Sequence, residues 1–132
     1  MPRIFKNEAA LTPEYIPSKL PHREEQLKQL ETYFSGFLES PGSMYPKVIL
    51  IGRPGSGKTV TSRKFGNYVV RSSERVRYVH VSCFLNRTLS SVLKDIGVQL
   101  NIAIPKRGFS TEELLKMLLD MVREKDIYAI VA

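Results

Sequence analysis

The sequence predicts an α/β fold, a parallel sheet with flanking helices, and three observations point there. A short apolar run without alternation, the mark of a strand covered on both faces, occurs at Lys47–Ile51; a β-rich run follows at Val76–Cys83, and Ile127–Ala132 reads as a third buried strand. Helical stretches separate these runs, as the crossovers between parallel strands require. The glycine-rich stretch Gly52-Arg53-Pro54-Gly55-Ser56-Gly57-Lys58-Thr59 follows the first run directly and leads into a helical pattern.

Each element has a local reason. Residues 1–21 carry Pro2, Pro13, Pro17 and Pro21, so little helix forms before His22. Phe5, Leu11, Tyr15, Ile16 and Leu20 recur within it, which predicts an extended segment lying against a folded body. From Arg23 to about Glu39, Leu27, Leu30, Tyr33, Phe34, Phe37 and Leu38 follow helical spacing. Ser40-Pro41-Gly42-Ser43 breaks that helix. A second helix starts at the glycine-rich turn and reaches about Val70. A third, from about Thr88 to Leu100, has Leu89, Val92, Leu93, Ile96 and Leu100 on one stripe. After a loop over Asn101–Gly108, Ser110-Thr111-Glu112-Glu113 has the spacing of a capping box and opens a fourth helix, ending near Lys125.

With 132 residues the chain fits one domain with a modest core. Its 42% apolar and 25% charged residues exclude a disordered chain. Cys83 is the single cysteine, which excludes an internal disulfide and suits a reducing compartment. No apolar run approaches the roughly 18 residues of a membrane span. The first residues also lack the apolar block of a secretion signal. A cytoplasmic location is therefore expected, or a nuclear one in a eukaryote. The net charge of +7 is uneven: residues 53–107 hold eleven basic residues against Glu74 and Asp95. Such a block suits a phosphate-bearing ligand or a nucleic acid, and equally a solvated surface.

The chemistry sits in the glycine-rich turn, which matches G-x-x-x-x-G-K-[ST]. Glycines let successive backbone N–H groups point at phosphate oxygens. The helix that follows presents its positive end to the same anion. Lys58 can neutralise the terminal phosphates and Thr59 can give a hydroxyl to Mg²⁺. Gly55, Ser56, Gly57, Lys58, Thr59 and Val60 are the candidate residues for a nucleoside triphosphate. His80 and Cys83 stand alone on an apolar run and are read as structural, without a metal.

Gly52–Thr59 resembles the phosphate loop of the AAA+ ATPases, which usually has proline where Arg53 stands. Leu20-Pro21-His22-Arg23-Glu24-Glu25-Gln26-Leu27 is similar to the signature preceding that loop in the replication initiators of the class, the archaeal and eukaryotic origin-recognition and cell-division-control ATPases. Tyr78–Cys83, Thr88, Val92-Leu93, Pro105 and Gly108–Thr111 resemble that family in order and spacing, so the likeness spans roughly residues 15–132.

The resemblance implies that the segment around Leu20–Arg23 folds over an adenine. Tyr15, Ile16, Leu20, Pro21, His22 and Arg23 then become the base site, with ATP or ADP and Mg²⁺ as cofactors. The plainer alternative is that His22 and Arg23 only start a helix. Arg53 is either a solvent-facing loop residue or a phosphate contact. The family's sheet order, 5-1-4-3-2, puts a further strand between the first and third runs. Its Mg²⁺-holding acids, the Walker B residues, follow the third strand. Residues 22–132 are therefore expected to be the N-terminal, incomplete part of an AAA+ ATPase domain. Residues 1–21 would pack near its base site.

As part of an initiator, the chain is expected to bind ATP without turning it over by itself. The full-length parent would be an ATPase controlling origin binding and helicase loading, with replicative helicase or other initiator subunits as partners. Duplex DNA contact is expected at Arg87, Lys94, Lys106 and Arg107, the last two on a loop stiffened by Pro105; a solvated basic loop is the alternative. A phosphate-loop small-molecule kinase or other NTPase is the competing functional class, and a nucleotide-binding module without turnover a third.

Overall fold

The computed structural model describes residues 22–132. The expectations for residues 1–21, including Tyr15, Ile16, Leu20 and Pro21, lie outside the described residues.

Helix α1 (Glu24–Glu39) buries Leu30, Phe34 and Phe37 along one stripe and carries Glu24 and Glu25 in its first turn, where carboxylates oppose the helix dipole favourably. Helix α2 (Lys58–Ser72) starts from Gly57 and buries Thr61, Phe65, Gly66 and Val69. Strand β1 (Val76–Val79) follows. Helix α3 (Leu89–Gln99) is capped by Thr88, whose hydroxyl accepts from Ser91 N–H at 3.1 Å. Helix α4 (Thr111–Glu124) is capped by Ser110, which accepts from Glu113 N–H at 3.2 Å. Strand β2 (Tyr128–Val131) closes the order.

β1 and β2 pair in parallel, with Val76 opposite Tyr128 and Val79 opposite Val131. The pairing runs on through Val81 N–H to the Ala132 carbonyl at 2.8 Å. Alternation along the strands then sorts side chains to two layers. Val76, Tyr78, Tyr128 and Ile130 join Leu30, Phe34, Phe37, Phe65 and Val69 from α1 and α2. Val79, Ile127 and Ala129 face Leu93, Ile96, Leu100, Leu114 and Leu118 from α3 and α4. Phe34, Phe37, Phe65 and Tyr128 touch ring to ring, with centroids 5.1 Å apart for Phe34–Phe65 and 6.1 Å for Phe37–Tyr128. Gly66 is required where α2 meets the sheet, because a Cβ there would lie 2.3 Å from the Tyr78 ring.

Two expectations need correction. The run Lys47–Ile51 forms no strand and is exposed, Ile49 at 85% and Ile51 at 92%. Among the described residues no backbone hydrogen bond ties it to a neighbour, so the ladder that would convert an apolar run into a buried strand is missing. The second run stops being a strand after Val79. Leu85 and Asn86 N–H both bond the Ser82 carbonyl, at 3.2 and 2.9 Å, which turns the chain and leaves Cys83 exposed rather than on a strand. Among the described residues, no helix is long and apolar enough to cross a membrane.

Candidate nucleotide-binding site

The glycine-rich turn lies at the N-terminus of α2, as the sequence predicts. Gly55 and Gly57 adopt positive φ, 79° and 90°, a region where a side chain would be strained. Gly57 is the residue from which α2 starts, and its carbonyl accepts from Thr61 N–H at 2.9 Å and from the Thr61 hydroxyl at 2.7 Å. The turn is closed by Ser56 N–H bonding the Arg53 carbonyl at 3.1 Å. A Cβ on Gly52 would sit 2.6 Å from Ser56 Oγ, so a side chain there would force that hydroxyl to turn.

Lys58 folds back over the turn, its Nζ donating to the carbonyls of Gly52 at 2.6 Å and Arg53 at 3.0 Å. The ammonium is thereby held at the mouth of the loop. Among the described residues Ser56 Oγ is buried without a hydrogen-bond partner, inside the turn. Thr59 is exposed and Val60 half-buried in the first turn of α2. Arg53 is exposed, and its backbone carbonyl is the acceptor for both Ser56 N–H and Lys58 Nζ. A ring of glycine amides, an ammonium and a hydroxyl at a helix start form a donor set that fits a phosphate chain with its Mg²⁺.

A cavity of about 640 Å³ opens from Lys58, Thr59 and Ser62 between Pro46–Leu50 and β2, with Phe34, Phe37 and Phe65 lining it. No acidic side chain among the described residues lines it. Ser62 Oγ and the Tyr78 hydroxyl share a hydrogen bond of 2.6 Å, and the Tyr78 hydroxyl stands 3.5 Å from His80 Nδ1. Burial raises the Tyr78 phenol above its ordinary value, with the Ser62 bond and the Arg63 charge pulling the other way. Burial also lowers His80, assisted by Arg63 and opposed by Asp95. The His80 backbone exchanges bonds with the Gln99 side chain, and Gln99 and Asn86 both donate to Asp95. This set is silent in the sequence, because its members are spaced by no motif.

Of the residues expected at the base, His22 and Arg23 fall within the described chain. His22 is exposed with φ 63°. Arg23 reaches the phosphate loop: its Nε donates to the Ser56 carbonyl at 3.1 Å, Nη2 donates to the same oxygen, and Nη1 donates to the His22 carbonyl at 3.0 Å. No sequence signal links Arg23 to Ser56.

Two of the four basic residues expected at DNA are joined by a hydrogen bond. Lys94 on α3 donates to the Lys106 carbonyl at 2.7 Å, which ties the helix to the exposed Lys106-Arg107 loop. Arg87 instead lies over the Phe84 ring, its guanidinium carbon 5.7 Å from the centroid.

A family model described as an AAA domain matches residues 46–131. An ORC1-type DNA replication protein 2 of Sulfurisphaera tokodaii is 41% identical over 132 residues, 97% of this chain and 32% of that protein. The crystal structure of Cdc6p from Pyrobaculum aerophilum superposes with a TM-score of 0.84 at 38% identity, covering 95% of this chain and 33% of that one. The Aeropyrum pernix ORC2 protein, solved in ADPNP–ADP complexes, gives 0.82 at 27% identity over 96% and 34%. The chain thus spans about a third of the length of the curated relatives it matches.

Proposed function

The chain belongs to the AAA domain family, and from that premise we propose that it is the ATP-binding part of a DNA replication initiator. The observation that carries this reading is the loop itself: positive-φ glycines, an ammonium folded over carbonyls, and a buried Ser56 hydroxyl that has no partner among the described residues, just before α2. Its relatives are ORC1-type and Cdc6-type replication proteins, one of them solved with adenine nucleotides.

In this proposal the backbone amides of Gly55, Gly57 and Val60 hold the phosphate chain, the Ser56 N–H joins them on leaving the Arg53 carbonyl, and Lys58 exchanges the Gly52 and Arg53 carbonyls for phosphate oxygens. Mg²⁺, when bound, neutralises the terminal phosphates, with the Thr59 hydroxyl as its donor from this chain. Tyr15, Ile16, Leu20, Pro21 and His22 take the adenine, with Arg23 next to them in sequence at the start of α1. Residues 22–132 are the N-terminal part of the ATPase domain, and the acids that turn ATP over belong to the larger protein, together with its helicase and initiator partners. Nucleotide state would control origin binding and helicase loading in the cytoplasm or nucleus. The link from Lys94 to the Lys106 carbonyl favours a secondary reading, phosphate-backbone contact with duplex DNA at Lys94, Lys106 and Arg107, to which Arg87 would add a further charge.

The nucleotide reading is tested by equilibrium binding of a fluorescent ATP analogue to the wild type and to Lys58→Ala. The expected outcome is a loss of at least about tenfold in the variant, with ATP competing better than GTP. Equal binding by the variant, or equal competition by GTP, would count against it.

A further inference from the structure

We propose that Arg23 is a positioning residue for the phosphate loop, acting on bound phosphates through the Ser56 carbonyl rather than as part of the base site. The proposal rests on the nucleotide reading above and specifies how the loop is held. Arg23 stands at the N-cap of α1, where its guanidinium, a donor without an acceptor atom, cannot cap the helix. It reaches 33 residues along the chain instead. There Nε and Nη2 converge on one oxygen, the Ser56 carbonyl, while Nη1 holds the His22 carbonyl.

The consequence follows from peptide geometry. The Ser56–Gly57 peptide is planar, and a trans peptide points its C=O and N–H in opposite directions. Fixing the carbonyl on the guanidinium therefore turns the Gly57 N–H away from Arg23 and fixes its direction. Gly57 has φ 90° and no side chain to steady it, so its amide would otherwise be free to rotate with the loop. A Cβ on Gly57 would lie 3.6 Å from Arg23 Nε, which shows how closely the guanidinium supports this residue. A cation bonded to the carbonyl also polarises the peptide and strengthens its N–H as a donor to an anion.

The distribution of charge points the same way. Arg23 bonds to carbonyls, and among the described residues no carboxylate pairs with it. Among the described residues its positive charge therefore stands without a carboxylate beside the glycine-rich loop. The root of the side chain is held too, since α1 is anchored by Leu30, Phe34 and Phe37 in the core. One guanidinium thus bonds both His22, in the segment assigned to the base, and Ser56, in the loop assigned to the phosphates.

The test separates a phosphate role from a base role by using each half of the ligand alone. Calorimetric affinities for MgADP, magnesium pyrophosphate and adenosine are compared in the wild type, Arg23→Ala and Arg23→Lys. Arg23→Ala should weaken MgADP and pyrophosphate by the same factor, about tenfold or more, and leave adenosine unchanged. Arg23→Lys should recover part of the loss, because an ammonium still bonds the Ser56 carbonyl. It also keeps the comparison available should Arg23→Ala lower the melting temperature. A loss shared by MgADP and adenosine with pyrophosphate unchanged would overturn the proposal and make Arg23 a base contact, and so would affinities unchanged throughout. If the wild type binds neither MgADP nor pyrophosphate and Lys58→Ala matches it, the nucleotide reading itself fails and this proposal with it.

Discussion

Val48–Ile51 and Val76–Val79 are both four residues long and rich in β-branched or aromatic residues, and they meet opposite fates although only the second carries a charge, Arg77. Val76 and Val79 are fully buried, whereas Ile49 and Ile51 are almost fully exposed. Intrinsic preference does not separate the two segments. The second has β2 beside it, which satisfies its amides and carries Ile130 and Ala129 into the two layers. The first faces β2 only across the open cavity that begins at Lys58. Strand formation in this chain is a property of the neighbour as much as of the run itself.

The largest test of that contrast is a pair of truncations. Leu114→Ala, at a position 1% exposed between α4 and the sheet, should cost about 2–5 kcal/mol. Ile51→Ala, 92% exposed, should cost about 0.5 kcal/mol or less. Urea midpoints with unchanged slopes would measure both, and equal costs would mean that the Val48–Ile51 run is buried in solution.

A second pair sharpens the difference between packing and conformation. Gly66→Ala drives a methyl into the Tyr78 ring and should cost about 1–3 kcal/mol. Gly55→Ala meets no atom within 4 Å, so only its positive φ opposes it, about 1 kcal/mol. Thermal melts should rank Gly66→Ala as the more damaging of the two. The reverse order would place the tighter constraint in the loop.

The smallest effect is a pH dependence. His80 is held below its ordinary value of 6.5 by burial and by Arg63, so the folded chain binds its proton less readily than the unfolded chain does. The stability this contributes is complete above that ordinary value and is lost as pH falls through the lower folded value. Melting temperatures from pH 7.5 down to 5 should therefore drop more for the wild type than for His80→Gln. Parallel profiles would show that His80 has no part in the pH dependence.

What could be read from the sequence follows the range of the interaction. The cap at Ser110 and the four helices rest on contacts within a few residues, and spacing and periodicity carry them. The phosphate loop was legible because its glycines and Lys58 act through their own backbone. The exposure of Ile49 and Ile51 was not, since it depends on which strand lies alongside. Nor was the Arg23–Ser56 bond, which joins two places that the chain order holds apart. The Ser62–Tyr78 contact was hidden for the same reason, its partners lying on a helix and a strand.

The parallel pairing of β1 with β2 also sets a timetable. Tyr128 pairs with Val76, about fifty residues back along the chain, so this ladder closes only after α3 and α4 have been made. During synthesis, Phe34, Phe37 and Phe65 emerge well before Ile130, the strand residue that joins their cluster from β2. At about 5–20 residues per second, the interval from Phe65 to Ile130 lasts roughly 3–13 s. For that time the nascent chain presents an aromatic surface with no sheet to cover it, the kind of surface that holding chaperones bind.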